Sequence, residues 1–426
     1  MESRLGGCEC TFYPQGEPDE AAELPFDFLG GWVGYLGYEL RAECLPLTAA
    51  RRHASATPDA AMFFVTRFLA LDHATGDAYV VASCGADDGA DTQAWVSSTA
   101  ERVGHVNSAA VSPAAETCSS PPGPAPPVWD SDAGGAPAGA FVLRVGREGY
   151  KADVRKCMEH IAAGDTYEVC LTTALARPQG GIQPFELYSR LRHGNPAPYA
   201  AFMRVAGDGN RDALAVCCSS PERFLRVDKH RRVEAKPIKG TAARVAPHGC
   251  AEDVAAAEAL RCSVKDRAEN LMIVDLLRND LGRVCCPGTV HVPGLCAIES
   301  FASVHQLVST VRGALADGVT TVAAVRACFP GGSMTGAPKL RTCNIIDSIE
   351  PGPRGVYSGA LGFLSIGNGA ADLNIVIRTA VLHGGTITVG AGGAVVALSD
   401  AEAEYTEMRL KARAVLAAVH AASGAT

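Results

Sequence analysis

The stretch Ala268–Leu281 (AENLMIVDLLRNDL) has the spacing of an α-helix and carries apolar residues almost all round it. A helix of that kind needs cover on every side. The flanking sequence supplies sheets to cover it. Tyr150–Ala163 is helical, with Val154, Cys157, Met158 and Ile161 on one side, and Gly164-Asp165 ends it. Tyr167–Thr173 alternates as a strand does, and Ala215–Ser219 and Phe224–Val227 read as strands around Ser220-Pro221-Glu222-Arg223. Gly355–Ile366, Leu373–Leu382 and Thr386–Gly390 read as three more. This alternation predicts an α/β (α+β) protein built on large sheets. A chain of 426 residues, 47% of them hydrophobic, is long enough to bury a large core.

Towards the N-terminus, Phe26–Glu39 interleaves glycines with aromatic rings, a pattern for close backbone packing. Ala61–Val65 and Ala78–Ala82 are expected as strands of one sheet, with Asp72–Gly76 a turn between them. From Gly85 to Ala140 the composition shifts to Ala, Gly, Ser and Pro and ends in the run Pro121–Pro127. An insertion or linker is expected there, with a helix over Trp95–Val103. The expected organisation is an N-terminal part of the fold over 1–84, the insertion over 85–140 and a catalytic domain over 141–420. The 16 cysteines include Cys217-Cys218, Cys285-Cys286 and Cys8-x-Cys10 but no C-x-x-C. That fits neither a zinc site nor a disulfide framework, and predicts reduced core thiols in a soluble protein of a reducing compartment. A formal net charge of -8 argues against nucleic-acid and anionic-membrane partners, and no apolar run reaches transmembrane length.

Chemistry concentrates in a few places. Lys236-Pro237-Ile238-Lys239-Gly240-Thr241 sets a lysine between a stiffening proline and a glycine that permits a bend. Buried there, the Lys239 amine would fall below its ordinary pKa of about 10.4 and become a nucleophile. Exposed, it is an ordinary turn lysine. Asp266 and Glu269 stand at i, i+3 near the start of one helix. Glu404 and Glu407 repeat that spacing in a helix opened by the capping box Ser399-Asp400-Ala401-Glu402, with Lys411 one turn beyond. Together the two helices could hold one hard cation such as Mg2+, which takes oxygen ligands and keeps several waters. Either pair alone reads more plainly as a solvated face. Phe329–Lys339 (FPGGSMTGAPK) and Gly390-Ala391-Gly392-Gly393 expose backbone N–H groups of the kind that take carboxylate or phosphate, without matching a nucleotide signature. Arg378 offers a carboxylate fork from an apolar strand. His305, in the apolar run Ser303–Leu307, reads first as a core histidine.

Six segments occur in order: Pro237–Thr241 (PIKGT), Ala268–Asp280, Phe329–Lys339, Asn374–Thr379 (NIVIRT), Gly390–Gly393 and Glu404–Lys411 (EYTEMRLK). On these the chain resembles the chorismate-utilising enzymes, densely from about residue 140 to 418 and more faintly at Leu29–Glu39. The resemblance implies a large two-layer β-sandwich flanked by helices, with the active site in a central cleft. Within that family a lysine in P-I-K-G-T goes with members that make 4-amino-4-deoxychorismate, for p-aminobenzoate and folate. An alanine there goes with members that make anthranilate. The expected activity is amination of chorismate at C4. Anthranilate formation is the nearest alternative, and a non-catalytic chorismate-binding member is a third.

The resemblance also implies roles. Glu269 and Glu407 would bind Mg2+ directly, with Asp266 and Glu404 behind them through water, and the metal would hold the ring carboxylate of chorismate. Lys239 would add at C2 and displace the 4-hydroxyl through a shifted double bond, while Glu222 protonates the departing hydroxyl. Ammonia would then attack C4 and release the lysine. Arg378, Tyr357, Lys411 and the backbone of Gly390, Ala391 and Gly392 would grip the carboxylates. Thr241, Thr335 and Gly336 would line the pocket, and His305 would sit beside the ring. No G-x-C-x-G glutaminase pattern occurs, so ammonia is expected from a glutamine amidotransferase subunit or an upstream fused domain. The stretch before Leu29 is short for the family, and the N-terminal half-sheet is expected to be incomplete. Such an enzyme is expected in the cytoplasm, or in the plastid stroma of a plant or alga.

Overall fold

Two large sheets, packed face to face, carry the chain in the computed structural model, which describes residues 24–48, 53–83, 89–108, 128–129, 139–207, 213–301 and 304–424. The nine-stranded sheet runs β12 (Ile238–Ala243), β14 (Val304–Ala314), β11 (Arg232–Lys236), β10 (Arg223–Val227), β17 (Ala371–Ile375), β16 (Ala360–Ser365), β1 (Gly31–Leu36), β2 (Ala60–Val65). Its ninth strand, β13 (His291–Ser300), pairs with β14. The eight-stranded sheet runs β5 (Val128–Trp129), β6 (Phe141–Leu143), β7 (Glu168–Pro178), β19 (Thr386–Val395), β18 (Thr379–His383), β9 (Leu214–Ser220), β8 (Tyr199–Val205). A short strand, β15 (Gly336–Ala337), adds to β7. A separate hairpin joins β3 (Arg67–Leu71) to β4 (Ala78–Ala82). The helices are α1 (Arg41–Cys44), α2 (Gly89–Ser108), α3 (Gly146–Ala162), α4 (Pro184–Gly194), α5 (Ala251–Cys262), α6 (Val264–Gly282), α7 (Thr321–Cys328), α8 (Lys339–Ile349) and α9 (Ala401–Ala422).

Side chains along a strand point alternately to the two faces of its sheet, and that alternation sorts the cores. On β9, Leu214, Val216 and Cys218 meet Tyr35 and Leu361 of the other sheet, so this cluster lies between the sheets. Ala215 and Cys217, on the opposite face, join Val154, Leu187, Ile346 and Met408 from α3, α4, α8 and α9. Beyond the nine-stranded sheet, Val233, Val311 and Leu373 pack on Ile273, Leu277 and Leu281 of α6 and Val325 of α7. The layers run helix, sheet, sheet, helix.

Several local expectations change. α6 is not buried all round: Leu271 is 53% exposed, and Asp275, Arg278 and Asn279 face solvent. Leu373–Leu382 is not one strand. The chain leaves the nine-stranded sheet after Ile375 and enters the other at Thr379, a crossing hidden in the sequence because both halves are buried. The strand expected to stop at Gly390 runs on to Val395, so Gly390–Gly393 lie inside β19, opposite Ala174–Leu171 of β7, rather than in a loop. Ala61–Val65 pairs with β1, whereas Ala78–Ala82 pairs with β3, so the two are not in one sheet. The turn over Asp72–Gly76 is present and joins β3 to β4, with the Ala74 N–H donating to the Asp72 carboxylate. Of Gly355–Ile366 only Ala360–Ser365 is strand, and the helix over Trp95–Val103 extends to Gly89–Ser108. The α9 cap is Asp400, whose carboxylate accepts from the N–H groups of Glu402 and Ala403, not Ser399. Residues 1–23, with Cys8 and Cys10, and the run Pro121–Pro127 lie outside the described residues.

One buried ionic network ties the layers together. Arg354 donates to both oxygens of Glu350, at 2.7 and 2.9 Å, and to the carbonyls of Met334 at 2.7 Å and Cys170 at 2.8 Å. Its guanidinium lies 4.2 Å over the Tyr38 ring. Glu350 also accepts from the N–H and hydroxyl of Thr172 on β7.

Candidate active site

The site residues stand where the chain passes between sheets. Glu222 follows β9 of the eight-stranded sheet and precedes β10 of the nine-stranded one. Its backbone is pinned on both sides, the N–H donating to the Ser220 hydroxyl and the carbonyl accepting from Ile375. Burial pushes its carboxyl up to about 7, against a Ser333 hydroxyl and the charge of Lys239, which favour the ionised form. A carboxylic acid is thereby held half-protonated near neutral pH.

Lys239 lies on β12, and Gly240 beside it takes φ +87°, with Asp266 filling the space a Cβ would need. The Lys239 ammonium pairs with Glu168 Oε1 at 2.7 Å, with the two side chains 11% and 1% exposed. Burial by itself would lower the amine's pKa, as the sequence suggested. Glu168, helped by Glu269, outweighs burial and raises it. The resting lysine is therefore an ammonium ion, which corrects the expectation of a neutral amine. Sequence reading missed Glu168. The signal was an acid opening Glu168–Pro178, a strand apolar enough to be buried and thus in need of a counter-charge.

Of the four carboxylates of the two helices, Glu269 lies near Lys239 and Glu407; Glu404 and Glu407 flank Gly393, and Asp266 lies against Gly240. Glu269 is raised by burial, against the charge of Lys239. On α9, Glu404 is raised by burial and accepts from the Ser399 hydroxyl at 2.6 Å. Burial also acts on Glu407, but Lys411, 2.7 Å away, outweighs it and keeps that carboxyl below its ordinary range. A Cβ on Gly393 would stand 3.1 Å from Glu404 Oε2, 3.6 Å from Lys411 Nζ and 3.8 Å from Glu407 Oε1, so only glycine leaves this corner open. Glu269 Oε1, Glu404 Oε2 and Glu168 Oε2 are buried without a hydrogen-bond partner, although the Lys265 ammonium stands 3.8 Å from the first of them. Orphaned carboxylate oxygens are costly alone and chemically suited to a hard cation. Among the described residues no three His, Cys, Asp or Glu side chains converge tightly enough to chelate a metal unaided.

Arg378 sits in the crossing from β17 to β18 with φ +52°, in the sparse left-handed region, and donates to the Lys411 carbonyl at 2.9 Å. Burial lowers its pKa, and among the described residues no carboxylate pairs with it. Beyond Val389, β18 no longer pairs with β19, which leaves one edge of Gly390, Ala391 and Gly392 unpaired beside that crossing. Gly390 is required here because a Cβ would stand 2.1 Å from the buried Tyr357 ring.

Other expected residues are engaged differently. The buried Thr335 hydroxyl turns back to the carbonyls of Gly331 and Gly332. Gly336, at φ +138°, lets β15 press on β7, where a Cβ would fall 1.9 Å from the Glu168 carbonyl. Thr241 is exposed on β12, opposite Gln306. His305 is buried, bonded to Ser300 Oγ at 2.7 Å and Asp253 Oδ1 at 3.0 Å, and shares no hydrogen bond with Lys239 or Glu222. In Phe329–Lys339, Gly331 and Gly332 serve close packing on Ile375 and Leu276, and Lys339 pairs with Asp280 at 2.6 Å. Ser333 is the loop's contribution to the site.

The family model for chorismate binding enzymes matches residues 8–417. The chain is 47% identical over 401 residues to a protein named probable aminodeoxychorismate synthase, chloroplastic, from Oryza sativa subsp. japonica, covering 92% of this chain and 43% of that protein. It is 49% identical to an aminodeoxychorismate synthase of Streptomyces pristinaespiralis, covering 95% of this chain and 53% of that one. The chain thus spans about half the length of these curated relatives. Anthranilate synthase component I from Streptococcus pneumoniae superposes with a TM-score of 0.74 at 28% identity, covering 94% of this chain and 83% of the other. The chain belongs to the chorismate binding enzyme family.

Proposed function

We propose that the chain converts chorismate and ammonia to 4-amino-4-deoxychorismate, with Lys239 as covalent nucleophile. The observation that carries this reading is a buried lysine, paired with a carboxylate, beside a glutamic acid pushed up to about 7. In this mechanism Lys239 Nζ adds to ring C2, the two ring double bonds each shift by one position, and the C4–O bond breaks. Glu222 gives its proton to the departing hydroxyl, which leaves as water. Ammonia adds at C4, the double bonds shift back, and the C2–N bond breaks. The Glu222 carboxylate then takes a proton from the new ammonium group.

Arg378, Lys411 and the unpaired edge of β19 suit the two carboxylates of the substrate. The orphaned oxygens of Glu269 and Glu404 support a Mg2+ site, in which Glu269 and Glu407 would hold the ion and Asp266 and Glu404 stand behind. When bound, the metal would offset the charge of a substrate carboxylate. Mg2+ that keeps waters and takes substrate oxygens needs no three-carboxylate cage, which agrees with the open donor set. Ammonia would come from a glutamine amidotransferase, as a subunit or as another part of a longer chain. Among the described residues twelve cysteines are free thiols, and no helix is long and apolar enough to cross a membrane. The compartment proposed is a reducing one, cytoplasm or plastid stroma.

Product analysis with chorismate, Mg2+ and ammonium salt tests the reading. 4-Amino-4-deoxychorismate as the main product supports it, and anthranilate or isochorismate would assign a different reaction. Lys239 occupies space that direct attack on C2 would need, which puts anthranilate formation second. Because the acid form of Glu222 is the donor, kcat/KM at fixed free ammonia is expected to fall as pH rises through about 7. Glu222→Gln should remove that limb and lower the rate about 10²–10⁴-fold.

A further inference from the structure

An ammonium ion has no lone pair, so Lys239 must lose a proton before its nitrogen can add to a ring. We propose that Glu168 is the base that takes this proton through Oε1 and returns it when the lysine leaves; the proposal rests on the function argued above. The acceptor is already in place, since Nζ and Oε1 are 2.7 Å apart and transfer along that hydrogen bond requires no rearrangement. Glu168 Oε2 is buried without a hydrogen-bond partner, so among the described residues no other donor competes with Lys239 for the carboxylate. Its position is fixed as well. Thr166 donates its hydroxyl to the Glu168 carbonyl at 3.0 Å, and β15 presses against the same peptide at Gly336.

The other titratable groups facing Lys239 are less suited. They are Cys170 from β7, Glu269 from α6, Glu222 from the crossing between the sheets, and Glu407 from α9, which is paired with Lys411 instead. Cys170 is raised by burial and offers no carboxylate. Glu222 has to begin as an acid. Glu269 makes no ion pair with Lys239, whereas Glu168 does. Both ring nitrogens of His305 are engaged by Ser300 and Asp253.

The protons then balance. Glu168 takes one from Lys239, and the neutral amine bonds to C2 as Glu222 protonates the leaving hydroxyl. After ammonia adds at C4, the amine departs neutral and recovers its proton from Glu168, while Glu222 is reprotonated by the new ammonium group.

The test is single-turnover conversion of chorismate at fixed free ammonia and saturating Mg2+ by wild type, Glu168→Gln and Glu168→Asp. Glu168→Gln should be about 10²–10³-fold slower at pH 7, with the chorismate Kd within about threefold of wild type as the control for folding. Its amine must then lose the proton to water, so the deficit relative to wild type should shrink about tenfold for each unit of pH above 7. Glu168→Asp, which keeps a base, should be slower than wild type but with the wild-type pH profile. A Glu168→Gln rate within threefold of wild type would overturn the proposal. So would a deficit that stays constant with pH, or an aspartate variant that follows the glutamine profile. If wild type itself yields anthranilate or isochorismate, the functional reading fails and the proposal with it.

Discussion

Lys239→Ala is expected to reduce 4-amino-4-deoxychorismate formation by about 10³-fold or more, and to destabilise the fold at the same time. The catalytic loss follows from removing the nitrogen proposed to form the C2 bond. The stability loss follows from the partner left behind. Glu168 is 1% exposed, and losing its ammonium leaves a buried charge uncompensated, which costs about 3–5 kcal/mol. The two effects separate in the double variant Lys239→Ala, Glu168→Gln, which removes the stranded charge. Urea unfolding should show most of the lost stability restored in the double variant, while product formation stays at the level of the single one. Recovery of activity together with stability would mean that Lys239 is structural.

The second large effect lies away from the chemistry. Arg354→Ala should cost about 3–5 kcal/mol, because Glu350 and the carbonyls of Met334 and Cys170 all lose a buried donor. Met334 ends the short turn that carries Ser333, and Cys170 lies two residues from Glu168 on β7. The change should therefore also raise the KM for chorismate or lower kcat, measurable below the unfolding temperature. Arg354→Lys keeps the charge but not the planar fork, and should fall between wild type and the alanine variant. A melting temperature within a degree of wild type for Arg354→Ala would contradict this account of the network.

Much of this architecture was legible in the sequence. Alternation marked β7, the segments on either side of Ser220–Arg223 read as β9 and β10, apolar helical spacing marked α6, and a capping pattern announced α9. What the sequence hid was where the chain changes sheet. Asn374–Thr379 is apolar on both sides of the crossing, so nothing local announces that Arg378 leaves a strand with positive φ. The glycines Gly390–Gly393 suggested a loop, yet they sit within a strand because the Tyr357 ring and the Glu404–Lys411 corner need the space. The state of Lys239 was unreadable for the same kind of reason. Burial can be inferred from pattern, but the sign of a pKa shift depends on which charge the fold brings alongside, and Glu168 lies 71 residues away in the chain.

The covalent route itself is tested most directly by omitting ammonia. The chain, with Mg2+ and ring-labelled chorismate, is quenched in acid and digested, and the peptides are mapped by mass. The account predicts label on the peptide containing Lys239, with the mass of chorismate less one water, and none in Lys239→Ala. Label recovered only as free chorismate, from a protein that yields the amino product once ammonia is added, would contradict it.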